Sequence, residues 1–239
     1  MRLPKPLSKP FALTLGTLAL AALWWPLRAA LWPDASELAA LRVLAGSAHD
    51  GSAALRLRLA AATGQAPAAR MLGLALVDRG DEAGAQRWLQ PAAEAGDAPA
   101  QLALGKLLYR QHDARAIAWL TQAAAHGQPA AAHYLALLHK NGAPGLPADA
   151  RQAERWLRIA AGAGIADSQF LLAQMLLADH PAEARSWLEK AAEQEHPEAA
   201  QQLAMAYQRG ELGLPADPQA AAQQLAEARH ALHHRPPSP

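Results

Sequence analysis

The chain has 239 residues, 63 of them alanine, but only two Val, three Ile and four Thr, so the β-branched residues that fill sheets are nearly absent and a large β-sheet is excluded. Cysteine is absent, which rules out disulfide staples, thiolate metal sites and a cysteine nucleophile. The net charge is +1, yet Arg2, Lys5, Lys9 and Arg28 precede any acid, and the body that follows is slightly acidic, without the basic face a nucleic-acid partner requires.

Residues 1–10, MRLPKPLSKP, form a basic, Pro-rich tail. Phe11 to Leu27 then run without a charge, and with the stretch to Trp32 a helix here would span about 33 Å, enough for a hydrocarbon core of about 30 Å. Trp24, Trp25 and Trp32 stand at one end, where an aromatic belt lies. Residues 11–32 therefore read as one transmembrane signal anchor in the inner membrane, with 1–10 cytoplasmic and the body in the periplasm. The alternative is a cleaved signal peptide, with a small-x-small site at Ala19-Leu20-Ala21 and a soluble periplasmic body.

Residues 33–64 read as a partial capping helix pair, and residues 65–233 carry an internal repeat. Its clearest marker is Trp-Leu followed by an Ala-Ala pair, starting at Trp88, Trp119, Trp156 and Trp187; Gln224-Leu225 is a Trp-less copy. A second marker, small-x-x-x-Leu-small, places Leu72, Leu104, Leu135, Leu172 and Leu203 in a preceding segment. Ala85, Ala116, Ala153, Ala184 and Ala221 stand three residues before each Trp position.

This pattern predicts two antiparallel helices per repeat. Ala100, Leu104 and Leu108 share one helical stripe; Ala116, Leu120 and Ala123 share another. The four tryptophans are expected to be structural, filling space between repeats. Asp81, Asp149 and Asp217 are predicted N-caps, Pro67, Pro99, Pro129 and Pro197 first-turn prolines, and Gly64, Gly96, Gly127 and Gly164 helix-ending glycines. Two loops, NGAPGLPAD from Asn141 and RGELGLPAD from Arg209, lengthen their repeats and suggest that a unit of two repeats was duplicated. Residues 234–239 read as a disordered Pro-rich tail.

LHKNGAPGLPADARQAERWLRIAAGAG from Leu138 and YQRGELGLPADPQAAAQQL from Tyr207 resemble the Sel1-like repeat, a relative of the tetratricopeptide repeat. The resemblance implies an all-α, right-handed superhelical solenoid of about five antiparallel helix pairs. It also implies that the first helices line a concave side that holds another protein.

No phosphate loop or nucleophile elbow occurs, and no cofactor is expected. His230, His233 and His234, spaced for one side of the last helix, are the only weak metal candidates, against a plain solvated helix end. The informative surface is the far side of each first helix. With the repeat Leu at zero, positions −2, +2 and +5 fall within roughly 40° of that side. They hold Arg70, Leu74 and Val77; Leu102, Lys106 and Tyr109; His133, Leu137 and Lys140; Phe170, Gln174 and Leu177; and Gln201, Met205 and Gln208. The core stripe hardly varies between copies, while this face changes chemistry each time, which reads as a partner-binding groove. Packing of some of these side chains on the next repeat is the competing explanation. The expected function is a non-catalytic, exported, membrane-anchored scaffold for protein–protein interaction in the bacterial envelope. The alternatives are a periplasmic immunity protein against an exported toxin, an envelope assembly factor in exopolysaccharide export or motility, and, least favoured, a metal-dependent enzyme.

Overall fold

The computed structural model describes residues 33–234, without the side chains of His233 and His234. The assignments for 1–10 and 11–32, and nearly all of 234–239, lie outside the described residues. Among the described residues are twelve helices and no strand beyond one isolated bridge, Ala143 with Leu146. The chain divides into two compact units after Ala100.

The first unit holds α1 (Ala35–Ala45), α2 (Gly51–Ala62), α3 (Ala66–Asp78) and α4 (Glu82–Glu94). Asp34 starts α1 with a reciprocal cap: its carboxylate accepts from the Glu37 N–H at 2.9 Å, and the Glu37 side chain accepts from the Asp34 N–H at 3.4 Å. Arg42 reaches Asp78 at 3.1 Å and ties α1 to α3. Asp81 caps α4 through the Gly84 N–H at 2.8 Å, as the sequence predicts.

The second unit begins within the first turn of α5 (Ala98–Arg110) and pairs that helix with α6 (Arg115–Ala125), α7 (Pro129–Asn141) with α8 (Ala150–Gly162), α9 (Ala166–Leu176) with α10 (Pro181–Glu193), and α11 (Pro197–Arg209) with α12 (Pro218–His234). The predicted stripes form its core: Leu104, Leu120, Leu135, Leu157, Leu172 and Leu188 are each at most 1% exposed. Ala116, Ala153, Ala184 and Ala221 fill the narrow places between them. The second helices end on glycines with φ of 75° at Gly127 and 90° at Gly164, a left-handed turn that a Cβ would strain.

The duplicated unit is visible in the contacts. Buried Gln101 meets His126 at 2.8 Å, and buried Gln169 meets Gln194 at 2.8 Å, the same pairing one unit later. The two long loops close alike, with the Asp149 N–H on the His139 carbonyl at 2.7 Å and the Asp217 N–H on the Tyr207 carbonyl at 2.9 Å.

The four repeat tryptophans, Trp88, Trp119, Trp156 and Trp187, are half-buried. The fully buried residue is the Leu after each Trp, while Trp156 and Trp187 pack on the flank of the buried cluster that holds Leu157 and Leu188.

One expectation is corrected. No helix among the described residues is long and apolar enough to cross a membrane. The longest, α12, has 17 residues and the others 11 to 13, and each buries only one face. A single-pass inner-membrane anchor with a periplasmic body is therefore not supported; the segment assigned to it, 11–32, lies outside the described residues.

Candidate functional site

The far face of the first helices is built differently in the two units. In the first, Leu74 is half-buried and Arg70 is held: its Nε lies 3.0 Å from Asp97 Oδ1. Asp97 also caps α5 through the Ala100 N–H at 2.8 Å. Both side chains are under one-fifth exposed, so Arg70 is tied to Asp97.

In the second unit the face carries a cluster of rings on α5, α7 and α9. Tyr109 meets Tyr134 edge-on, centroids 5.2 Å apart. His133 meets the same ring edge-on at 5.5 Å, and the exposed Lys106 ammonium lies 5.5 Å above it. His133 Nδ1 shares a 2.7 Å hydrogen bond with Ser168 Oγ. Phe170 stacks on His196, centroids 4.7 Å apart. His196 is buried: its Nδ1 accepts from the Ala199 N–H at 3.3 Å and caps α11, and its Nε2 lies 3.2 Å from Asp167. Between these groups opens a pocket of about 360 Å³ lined by His133, Leu137, Phe170, His196 and the exposed carboxylates of Asp167 and Glu198.

The other predicted groove residues spread along this face. Leu102 is half-buried and Lys140 exposed. Gln174 donates to Gln202 of the next first helix, and Gln201 and Met205 are exposed on α11. Position −2 thus packs against the residue that caps the following first helix, as Arg70 on Asp97 and Phe170 on His196. Positions +2 and +5 supply the exposed side chains Lys106, Lys140, Gln174 and Met205. The sequence reading missed Asp167 and Glu198. They stand at position −5, within the same 40° of the far side, so carrying the wheel one turn back would have found them. Tyr134 sits at −1, roughly 80° off that side, and no wheel would have placed it there.

His133, Ser168 and Asp167 are the residue types of a hydrolytic triad, but Ser168 has no exposed surface, so no substrate reaches its Oγ. Among the described residues no three ligand-type side chains stand close enough to hold a metal ion. His230 is exposed on α12, and the side chains of His233 and His234 lie outside the described residues.

Burial holds the His133 imidazole below its ordinary pKa of 6.5; nearby Asp167 opposes this and Lys106 adds to it. The unfolded chain therefore binds this proton first, so stability present above pH 6.5 is lost as pH falls toward the folded value. A His133→Gln variant is expected to show a flatter melting temperature between about pH 7.5 and 5.5. An unchanged slope would assign the acid sensitivity to other groups.

Helix pairs that share a Leu and Ala core and vary one outer face define a helical-repeat scaffold. The chain belongs to the Sel1 repeat family, which matches residues 66–97, 98–128, 129–165, 166–196 and 197–223. It is similar to a Sel1 repeat protein from Oxalobacter formigenes, at 27% identity and a TM-score of 0.66, over 75% of this chain and 79% of that one. It is also similar to a protective antigen of uropathogenic Escherichia coli, at 26% identity and a TM-score of 0.68, over 75% of this chain. This chain spans 41% of the antigen's length. An immunity protein from Pseudomonas aeruginosa shares the fold at 16% identity and a TM-score of 0.50, over 95% of this chain and 84% of that one. No curated protein matched the chain. Sel1 repeat proteins are generally non-catalytic and typically mediate protein–protein interactions.

Proposed function

We propose that the chain is a non-catalytic scaffold that docks a helix or an extended segment of another protein on the first-helix face of the second unit. In this reading the array covers residues 65–233 and the helix pair within 33–64 caps it. The carrying observation is the contrast within one face. The Leu core is constant, while Lys106, Leu137, Lys140, Gln174 and Met205 surround a ring cluster and an open pocket with a different chemistry in each copy. Leu102, Tyr109, Leu137, Phe170 and Met205 are the apolar anchors.

A photo-crosslinker at Leu137 tests this against one at Ile159, which is exposed on α8. The partner is expected to crosslink from position 137 and not from 159. Leu137→Ala is expected to weaken capture per folded molecule by about thirtyfold, or about 2 kcal/mol, with melting nearly unchanged. Crosslinking from 159 alone would put the docking face on the second helices. A second reading takes the partner to be a toxin, because an immunity protein shares this fold along most of its length, although that likeness supports the architecture alone. Survival of a cell that expresses the toxin only when this chain is co-expressed would select it.

A further inference from the structure

The fifth repeat has lost its tryptophan, and a pocket stands in its place. Gln224 occupies the position of Trp187, with Ala221 and Ala228 buried on α12 as Ala184 and Ala191 are on α10. Two further replacements widen the space. Ala200 stands where the preceding copy has buried Gln169, and Ala231 where it has Gln194, so the Gln169–Gln194 bond has no counterpart. The result is a cavity of about 490 Å³ between α10, α11 and α12. Its buried lining is apolar, from Ala200, Leu203 and Ala231, with Tyr207 half-buried beside them. Its exposed rim carries four carboxylates, Glu189, Glu193, Glu195 and Glu227, together with His230.

The sister site shows what such a place holds. The Trp187 ring packs on the core, its indole N–H donates to Glu183 at 3.3 Å, and Lys190 lies 4.2 Å over the ring. At the fifth site Glu227 replaces Lys190, so the cation is missing, and the carboxylate accepts from the Gln223 amide at 3.1 Å and the Gln224 amide at 3.0 Å. Gln224 Oε1 is buried there without a hydrogen-bond partner, an acceptor that an incoming N–H would satisfy after a turn of the amide. A volume of this size takes an indole together with an adjacent aliphatic stem.

We infer that this pocket receives a tryptophan side chain of a partner polypeptide, flanked by Lys or Arg. The indole restores the missing packing element on Leu203 and Ala200. The flanking cations meet the four glutamates, which also disfavour acidic segments. The pocket shares no residue with the first-helix face proposed above, so either site can fail while the other stands.

The probe is a short synthetic peptide with one tryptophan between two lysines, titrated by calorimetry against the whole chain. Saturable binding is expected, weakened at least about tenfold when the peptide's tryptophan is replaced by alanine and when its lysines are replaced by glutamate. Gln224→Trp is expected to raise the melting temperature by a few degrees and to abolish binding, because the chain then fills its own pocket. Glu193→Lys, on the exposed rim, is expected to weaken binding about tenfold with melting unchanged. Absence of saturable binding, equal binding of the alanine peptide, or a Gln224→Trp protein that melts lower and still binds would each overturn the assignment.

Discussion

Leu157→Ala is expected to destabilise the second unit by about 3–5 kcal/mol, a fall in melting temperature of about 10 °C. Leu157 is 1% exposed at the centre of a cluster that includes Ala136, Leu172 and Leu188. Removing three carbons there loses their transfer free energy and leaves a cavity that helix backbones on several sides cannot close. Trp156, one residue earlier, is the larger side chain but is half-buried on the flank. Its replacement by alanine removes packing from one side only and is expected to cost about 2 kcal/mol. Thermal melts of the two variants decide the order. A Trp156→Ala protein as damaged as Leu157→Ala would make the tryptophan ladder the keystone, and the loss of Trp at Gln224 would then read as a weakened repeat instead of a vacated site.

Substitution of Gly105 by leucine is expected to cost about 3 kcal/mol or more. A Cβ at Gly105 would lie 2.7 Å from both Cγ and Cδ2 of Leu120 and 3.3 Å from the Leu120 backbone nitrogen. The helices α5 and α6 therefore approach so closely that even one methyl must displace a branched side chain or backbone. Gly105→Ala is expected to be destabilising by about 1–2 kcal/mol, because the strain exceeds the gain of about 1 kcal/mol in helix propensity. Buried alanines occupy the same place in three later copies, Ala136, Ala173 and Ala204, so the repeat tolerates the methyl where its helix pair is set for it. A Gly105→Ala chain that melts higher than the parent would show that α5 and α6 can move apart at no cost.

These two variants probe what was legible in the chain before any coordinates. The stripes, the caps and the glycine stops are local signals. Each depends on side-chain spacing along one helix or on one left-handed turn, and each recurs, so the copies reinforce one another. That is why Asp81, Asp149 and Asp217 cap as expected, and why Leu104, Leu135 and Leu172 are buried as expected. The apolar run at 11–32 is a different kind of signal. It speaks for a membrane only as a separate helix, and the described helices are short and apolar on one face, as packed repeat helices are.

The candidate site was legible only in outline. Periodicity put Arg70, His133 and Phe170 on one face, because a helical wheel needs nothing beyond the helix itself. Which of them remains open depends on the offset and rotation between successive helix pairs, and no single helix encodes those. The tertiary structure alone closed Arg70 onto Asp97, stacked Phe170 on His196 and brought Tyr134 under Lys106. It alone turned the missing tryptophan at Gln224 into a pocket, since a vacant volume exists only where Ala192, Leu203 and Ala231 from three different helices fail to fill the same space.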